Sequence, residues 1–329
     1  MIKRTLPKIA VKSTLLFLII FFAADRSLGY ILRVLYAKQS RGDYFQTTYA
    51  VKQAKEDLLI FGSSRAMHHY VSDILEKNLN YSSYNVGRNG RTVLYSYVIF
   101  SQILTYHKPK IVILDLSPLE FSTDESSQGE DMMVSSLLPY SSLPVIRENI
   151  KKTSKSDLIL SNLFSTYAYN SSVVQLLGYY FGFQSTNKDQ KGYVALKGSK
   201  LPAGSNTLKT EDNKYVKDDS VQEVLKQFLS TAKKEKVQVY VVVSPTTKYY
   251  RKTSIPEIRQ ITNLYGFTFF DFSHPKGFEE NRFFRDATHL NDDGALKFTE
   301  FLVNKLKRKY PLNQKLNRQA QFTESEILK

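Results

Sequence analysis

The chain of 329 residues contains no cysteine. Disulfide bonds, thiolate catalysis and cysteine-ligated metal sites are therefore excluded, although exported bacterial proteins can also lack cysteine, so the compartment stays open. The chain also lacks the glycine-rich sequences of a dinucleotide site and of a P-loop. A phosphoryl-transfer or nucleotide enzyme is accordingly the weakest functional hypothesis, and we predict no cofactor.

Acidic residues are scarce relative to basic ones, with 31 Asp and Glu against 46 Lys and Arg, which gives a net charge of +15. This balance is typical of proteins beside an anionic surface such as phospholipid headgroups or an acidic envelope polymer, and equally of a solvated lysine-rich face. The aromatic residues are not interleaved with basic ones, and no nucleic-acid motif is present. We therefore expect no nucleic-acid partner.

The first thirty residues predict a membrane anchor. No charge interrupts Ser13–Ala24, and extension back to Ile9 reaches the lower length limit of a spanning helix. Four basic residues precede the apolar run: Lys3, Arg4, Lys8 and Lys12. This flank predicts a cytoplasmic N-terminus and an extracytoplasmic domain, with membrane lipid as a partner. A cleaved signal peptide is disfavoured because Phe21 and Phe22 occupy positions that need small side chains. A buried soluble helix is the third alternative.

The remainder of the chain predicts an α/β domain over residues 57–310, joined to the anchor by a membrane-proximal helix and connector at 31–56. Short apolar runs predict buried strands at 57–64, 83–87, 110–117, 237–245 and 267–273. Amphipathic helical patterns follow at 65–79, 91–107, 218–235, 255–264 and 291–309. Alternating strands and helices favour a doubly wound, mostly parallel five-stranded sheet of flavodoxin-like type.

Residues 120–216 interrupt this alternation and predict an insertion. Its first part, 121–142, is polar and loop-like, 144–183 is helical, and 184–216 shows no clear periodicity. The insertion is interpreted either as a lid or substrate platform, or as a plain helical excursion with a loop. The polar residues 311–329 predict a frayed tail.

Candidate chemistry follows the predicted strands, because ligands of open α/β sheets bind at the carboxyl ends of the strands. In "GSSR", Gly62 permits a tight exit, and Ser64 at the start of the next helix is a candidate nucleophile or, alternatively, a helix cap. Near the last helix, Asp286 and His289 are three residues apart. The aspartate can accept from Nδ1–H and leave Nε2 as a general base, whereas the alternative is again capping.

Together, these segments resemble the SGNH (GDSL-like) hydrolase family. "FGSSR" resembles the F-G-D-S block, with Ser64 at the nucleophile position and Ser63 in place of the aspartate. "NVGRNGRT" resembles the second block and places the oxyanion glycine on Gly90, while "DATHLNDDG" places the remaining triad members on Asp286 and His289. The resemblance covers 57–118 and 236–309. It implies a divergent, membrane-anchored branch similar to the D-alanyl transfer protein DltD and to polysaccharide O-acetylation factors.

One block departs from the family pattern. The third block usually supplies an asparagine to the oxyanion hole, whereas "ILDLSPLEF" has Leu119 near that position. Asn89, Ser117 or Arg65 are candidate replacements. Arg65 is also a candidate for binding an anionic substrate group, or else for pairing with Asp115 or Glu120. 

Two further histidines, His68 and His69, are assigned to the helix surface or to packing, and we predict no metal site.

The resemblance implies a membrane-anchored, extracytoplasmic serine esterase or O-acyltransferase. Its expected substrates are acyl esters, above all acetyl esters, of cell-envelope polysaccharide, and a membrane-bound O-acyltransferase is a candidate partner. A different class remains open because of the missing asparagine, namely a catalytically weak or inactive scaffold of an envelope-modification system.

Overall fold

A five-stranded parallel sheet forms the centre of the protein. The computed structural model describes residues 8–121, 123–182, 189–201, 209–210, 218–249, 254–278 and 281–309. The strands are β1 (Leu58–Phe61), β2 (Ser83–Asn85), β3 (Ile111–Asp115), β4 (Gln238–Val243) and β5 (Thr268–Asp271). Their spatial order is β2-β1-β3-β4-β5, and every neighbouring pair is parallel. The predicted α/β class and the doubly wound sheet are thereby confirmed.

Helices cover both faces of this sheet. One face carries α3 (Ser64–His69), α4 (Ser72–Leu79) and α12 (Asp292–Lys309), and the other carries α5 (Val93–Ile103), α10 (Asp219–Lys234) and α11 (Ile255–Leu264). The helix predicted over 65–79 is divided because Tyr70 takes an extended backbone conformation and buries its ring beneath the sheet. Chain order reverses between β1 and β3, so the residues after these two strands flank the switch point where ligands of such sheets bind.

The insertion is more helical than its sequence predicts. It contains α6 (Thr123–Leu137), α7 (Pro144–Thr153), α8 (Lys155–Leu163) and α9 (Val173–Tyr180). The loop-like expectation for 121–142 is wrong, because Met133, Val134 and Leu137 recur at helical spacing and bury one face of α6. Residues 184–188, 202–208, 211–217 and the predicted tail 311–329 lie outside the described residues, while 209–210 pair with 248–249.

The N-terminal helix α1 (Lys8–Ala37) is long and apolar enough over Ala10–Ala37 to cross a membrane, judged by length and composition. It extends beyond the predicted anchor, and Leu32 and Tyr36 near its end are buried in the main core. The next helix, α2 (Asp43–Lys52), packs against α5. The predicted connector at 31–56 is therefore part of the folded domain, because its apolar side chains are needed to cover that face of the sheet.

Candidate active site

The exit from β1 is shaped by Gly62. Its φ of 142° lies in a region that side-chain-bearing residues avoid, and a Cβ there would come within 2.4 Å of the Asp115 carbonyl oxygen. The chain can therefore turn directly into α3 with Ser64 as its first residue. Ser63 stands at the N-cap without a side-chain capping bond, and Ser64 Oγ lies 2.7 Å from His289 Nε2.

The partners of Ser64 come from the loop between β5 and α12. His289 Nδ1 lies 2.9 and 3.0 Å from the two carboxylate oxygens of Asp286. Because a carboxylate only accepts, Nδ1 carries the ring proton and the Nε2 lone pair faces the Ser64 hydroxyl. The structure thus brings Ser64, His289 and Asp286 into one hydrogen-bonded row across residues that are far apart in sequence.

The Asp286 carboxylate is held in its ionised form. Burial by itself would raise its pKa, but hydrogen bonds from the Thr288 backbone N–H, the His289 ring and the Thr288 hydroxyl outweigh that effect and lower the pKa below its ordinary value. The His289 backbone N–H also donates to Asp286 Oδ1 at 3.0 Å. The loop carrying both residues is tied to the end of β4, since Thr247 N–H donates to the Ala287 carbonyl at 3.1 Å.

A cavity of about 270 Å³ opens in front of this row. Its lining includes residues from the ends of β1, the β2 turn and β3, and from α6 of the insertion: Ser64, Gly90, Ser117, Glu120, Met132 and His289. Among the described residues, neither the backbone N–H of Ser64 nor that of Gly90 has a hydrogen-bond partner. Both N–H groups are consequently available to a ligand.

Asn89 stands next to Gly90 but its side chain is engaged by a neighbouring histidine. His68 Nε2 lies 3.1 Å from Asn89 Oδ1, and His68 Nδ1 lies 2.7 Å from the Val194 carbonyl oxygen. Burial lowers the pKa of His68. Val194 belongs to the insertion, so this histidine links the insertion to the β2 turn.

Arg65 is among the residues that line the cavity, and its guanidinium bonds Ser244. Its side chain is 5% exposed, and it donates to Ser244 through Nε at 3.2 Å and through Nη2 to both the hydroxyl and the carbonyl. Its Nε also lies 3.8 Å from the buried Asp115 carboxylate. The structure shows the ion-pair alternative, because the buried carboxylate needs a cation nearby.

His69 has a role that its sequence context does not reveal. Its Nε2 accepts from the Leu290 backbone N–H at 2.9 Å, so Nδ1 carries the proton and donates to Ser244 Oγ at 2.8 Å. The ring is fully buried, and burial together with the nearby Arg65 charge lowers its pKa well below the ordinary value. Both histidines are buried beside His289, so of the two alternatives in their assignment the structure shows packing and not exposure at the helix surface. Arg65 and His69 are four residues apart and therefore lie on the same face of α3, where both contact Ser244. This spacing is the sequence feature that could have related them to a common partner.

Two acids near the site are buried. Burial raises the pKa of Glu120 to about 8, although its oxygens accept from the Ser117 and Val93 backbone N–H groups at 3.0 Å. Burial likewise raises the pKa of Asp115, to which the Tyr70 hydroxyl donates. Within the described ranges, no group of three or more His, Asp or Glu side chains is placed to hold a metal ion.

Comparison with known proteins gives the family but not the activity. No curated protein matches the chain. A structure described as a "putative acylhydrolase" from Bacteroides fragilis NCTC 9343 aligns at 12% identity and a TM-score of 0.40, covering 84% of this chain and 98% of that one. Another, described as a "putative platelet activating factor" from Streptococcus pneumonia, aligns at 9% identity and a TM-score of 0.35, covering 92% and 100%. Neither likeness bears on the site. The family model described as "Protein of unknown function (DUF1574)" matches residues 14–180, more than half of the chain, and the chain belongs to that family.

Proposed function

We propose that this protein is a membrane-anchored serine esterase or O-acyltransferase. The observation that carries the proposal is the hydrogen-bonded row of Ser64, His289 and Asp286 beside an open cavity. A serine hydroxyl needs an adjacent base to become a nucleophile, and that base needs an orienting acceptor on its other nitrogen. Both requirements are met by described residues at hydrogen-bond distances.

In the proposed first half-reaction, Ser64 Oγ attacks the acyl carbon of an ester while His289 Nε2 takes the hydroxyl proton. The tetrahedral intermediate collapses as its bond to the departing alcohol breaks, and His289 returns the proton to that alcohol. The second half-reaction reverses these steps with an incoming hydroxyl, which takes the acyl group and restores the Ser64 proton. Water as acceptor gives an esterase, and a glycan hydroxyl gives a transferase. Asp286 stays ionised throughout and accepts the hydrogen bond from the His289 Nδ1–H.

Stabilisation of the oxyanion is assigned to the free backbone N–H groups of Ser64 and Gly90. The third donor, which the resemblance expects from an asparagine, has to come from elsewhere because Leu119 lines the cavity there. We assign it to the Ser117 hydroxyl, since Ser117 lines the cavity, the Arg65 guanidinium bonds Ser244, and Asn89 is not among the lining residues. Losing one such donor costs on the order of 3 kcal/mol in transition-state stabilisation.

The proposal places the cavity outside the cytoplasm. Helix α1 exposes apolar side chains over residues 15–21, which fits a lipid environment, and basic residues precede it. On the outer side of the membrane, the abundant acyl esters within reach include those of envelope polysaccharide. A cavity of about 270 Å³ suits a short acyl group such as acetyl, and a membrane-bound O-acyltransferase is the proposed partner that would supply or share it.

The experiment that tests the enzyme is labelling of the full-length protein in detergent micelles with a fluorophosphonate probe. We expect the wild type to be labelled, and Ser64→Ala and His289→Ala to be unlabelled. Ser63→Ala is the matched control, because the neighbouring hydroxyl makes no capping bond, and it should label like the wild type. Absence of labelling in a wild type with native circular dichroism would instead support the scaffold hypothesis. Acetate release from acetylated glycans then identifies the substrate.

A further inference from the structure

The insertion meets the N-terminal helix at the level of its apolar stretch. The Phe164 ring, just after α8, stacks parallel to Phe22 with centroids 6.0 Å apart, and packs edge-on against Phe21 at the same separation. Both partners lie inside the run of α1 whose large apolar side chains over residues 15–20 are exposed. The insertion therefore contacts the part of α1 that the proposed function places in lipid.

The first charged residues after this apolar run mark its outer end. Asp25 accepts hydrogen bonds from the backbone N–H groups of Ser165 at 2.6 Å and Thr166 at 3.1 Å, while Arg26 donates to the Leu163 carbonyl at 3.0 Å. These bonds fix the insertion against α1 in one register. Phe22 precedes Asp25 by three residues, so Phe164 lies about 5 Å to the membrane side of this charged pair.

Apolar side chains around this contact are exposed. On α8, Ile159 and Leu163 are four residues apart and therefore on one face, with 53% and 46% of their surface exposed. Leu28 of α1 is 51% exposed. An open groove of about 620 Å³ separates α1 from the segment after α8, and its lining is almost wholly apolar, including Leu28 and Phe164.

We propose that the interfacial corner, formed by Ile159, Leu163, Phe164 and Leu28, inserts into the outer boundary of the same bilayer that α1 crosses, with phospholipid acyl chains as its occupant. The proposal rests on the membrane anchoring in the proposed function. Continuity with α1 argues for lipid, because Phe164 of the corner packs directly against Phe21 and Phe22 of the apolar stretch. Burial of such apolar area at the headgroup boundary is favourable in the same way as for interfacial helices.

The chain contains no tryptophan, so a single introduced tryptophan is a background-free reporter. Three full-length variants are compared in phosphatidylcholine vesicles with and without lipid bearing a doxyl quencher near the headgroup end of the acyl chain. Leu163→Trp reports the corner, and Ile19→Trp, at a residue 66% exposed, reports the α1 span. Leu264→Trp on α11, beside the edge strand β5, is the control at a residue 73% exposed.

We expect blue-shifted, strongly quenched emission from Leu163→Trp and Ile19→Trp, and unquenched emission from Leu264→Trp. Quenching of Ile19→Trp without quenching of Leu163→Trp would overturn the interfacial corner and leave the anchor standing. Loss of quenching at both positions would refute the anchoring itself. Fluorophosphonate labelling of the same three variants reports the proposed catalysis separately, because none of these positions lines the cavity beside Ser64.

Discussion

Glu120 is expected to make the stability of the protein depend on pH in an uncommon direction. Its side chain is 4% exposed at the end of β3, beside the cavity, and burial raises its pKa from 4.5 to about 8. Between these two values the folded state keeps a proton that the unfolded state has lost. The free energy of unfolding therefore falls as the pH rises through this window.

The size of the effect follows from the pKa difference. Each pKa unit corresponds to about 1.4 kcal/mol, so the Glu120 contribution between pH 5 and pH 8 amounts to roughly 3 kcal/mol. This is a substantial fraction of the total of about 5–15 kcal/mol that stabilises a typical domain. A neutral Glu120 at pH 7 also keeps a negative charge away from the place where the oxyanion would form.

The assay is urea unfolding of the full-length protein in detergent micelles, followed by far-ultraviolet circular dichroism at pH 5 and pH 8. Glu120→Gln removes the titratable carboxyl. It also loses one of the two side-chain acceptors for backbone N–H groups, but that loss is the same at both pH values. The stability of wild type minus variant should therefore drop by roughly 3 kcal/mol from pH 5 to pH 8. A difference that stays constant would show that the pKa of Glu120 is not raised, because a carboxyl with an ordinary or lowered pKa is mostly ionised in both states from pH 5 upwards.

Three further predictions concern Asp286, His69 and two glycines elsewhere in the fold. Asp286→Asn should slow fluorophosphonate labelling by roughly 10³- to 10⁴-fold through the wrong imidazole tautomer, and undiminished labelling would contradict the assigned row. His69→Leu should slow labelling on the order of 10- to 100-fold, because it removes the hydrogen bond that holds the Leu290 backbone N–H next to His289. His69→Gln keeps a donor and an acceptor and should restore most of the rate. Equal labelling rates for wild type and His69→Leu would show that His69 does not position His289. Gly266 and Gly192 both have a φ near 80°, but a Cβ at Gly266 would meet no atom within 4 Å, whereas a Cβ at Gly192 would lie 1.8 Å from the Asn85 carbonyl oxygen. The substitutions Gly266→Ala and Gly192→Ala therefore separate backbone strain from this contact. Thermal melts should show a loss of about 1–2 kcal/mol for the first and a clearly larger one for the second, and equal losses would contradict the contact.

The sheet could be predicted because each buried strand is a short apolar run between turn residues, a signal that needs no distant information. The Asp286–His289 contact is similarly local, since three residues separate the two side chains. The contact between Ser64 and His289 is harder to predict, because the two residues are 225 positions apart. Only the rule that ligands bind at the carboxyl ends of strands relates them. The catalytic role of Ser64 remains a prediction.

Other features depend on contacts that leave no local pattern. The partners of His69 are Leu290 and Ser244, both far along the chain, so nothing near residue 69 distinguishes a bracing histidine from a surface one. The sequence of helix α6 looks loop-like because its first two turns are almost entirely polar, and the residues of its buried face, Met133, Val134 and Leu137, come only towards its end. Tertiary packing decided both cases.

Helix α1 runs unbroken past Asp25, and its Tyr36 is buried in the domain. The link between the apolar stretch and the domain is therefore a continuous helix and not a flexible linker. Ala37 lies twelve residues beyond Asp25, about 18 Å along the axis, and α2 then leads back to the β2 turn through Arg88, which bonds the Asp43 carbonyl. In a membrane-anchored protein, the height of the pocket above the lipid would therefore be set by the fold and not by the length of a flexible linker. Such a pocket would act on acyl groups presented at that one height.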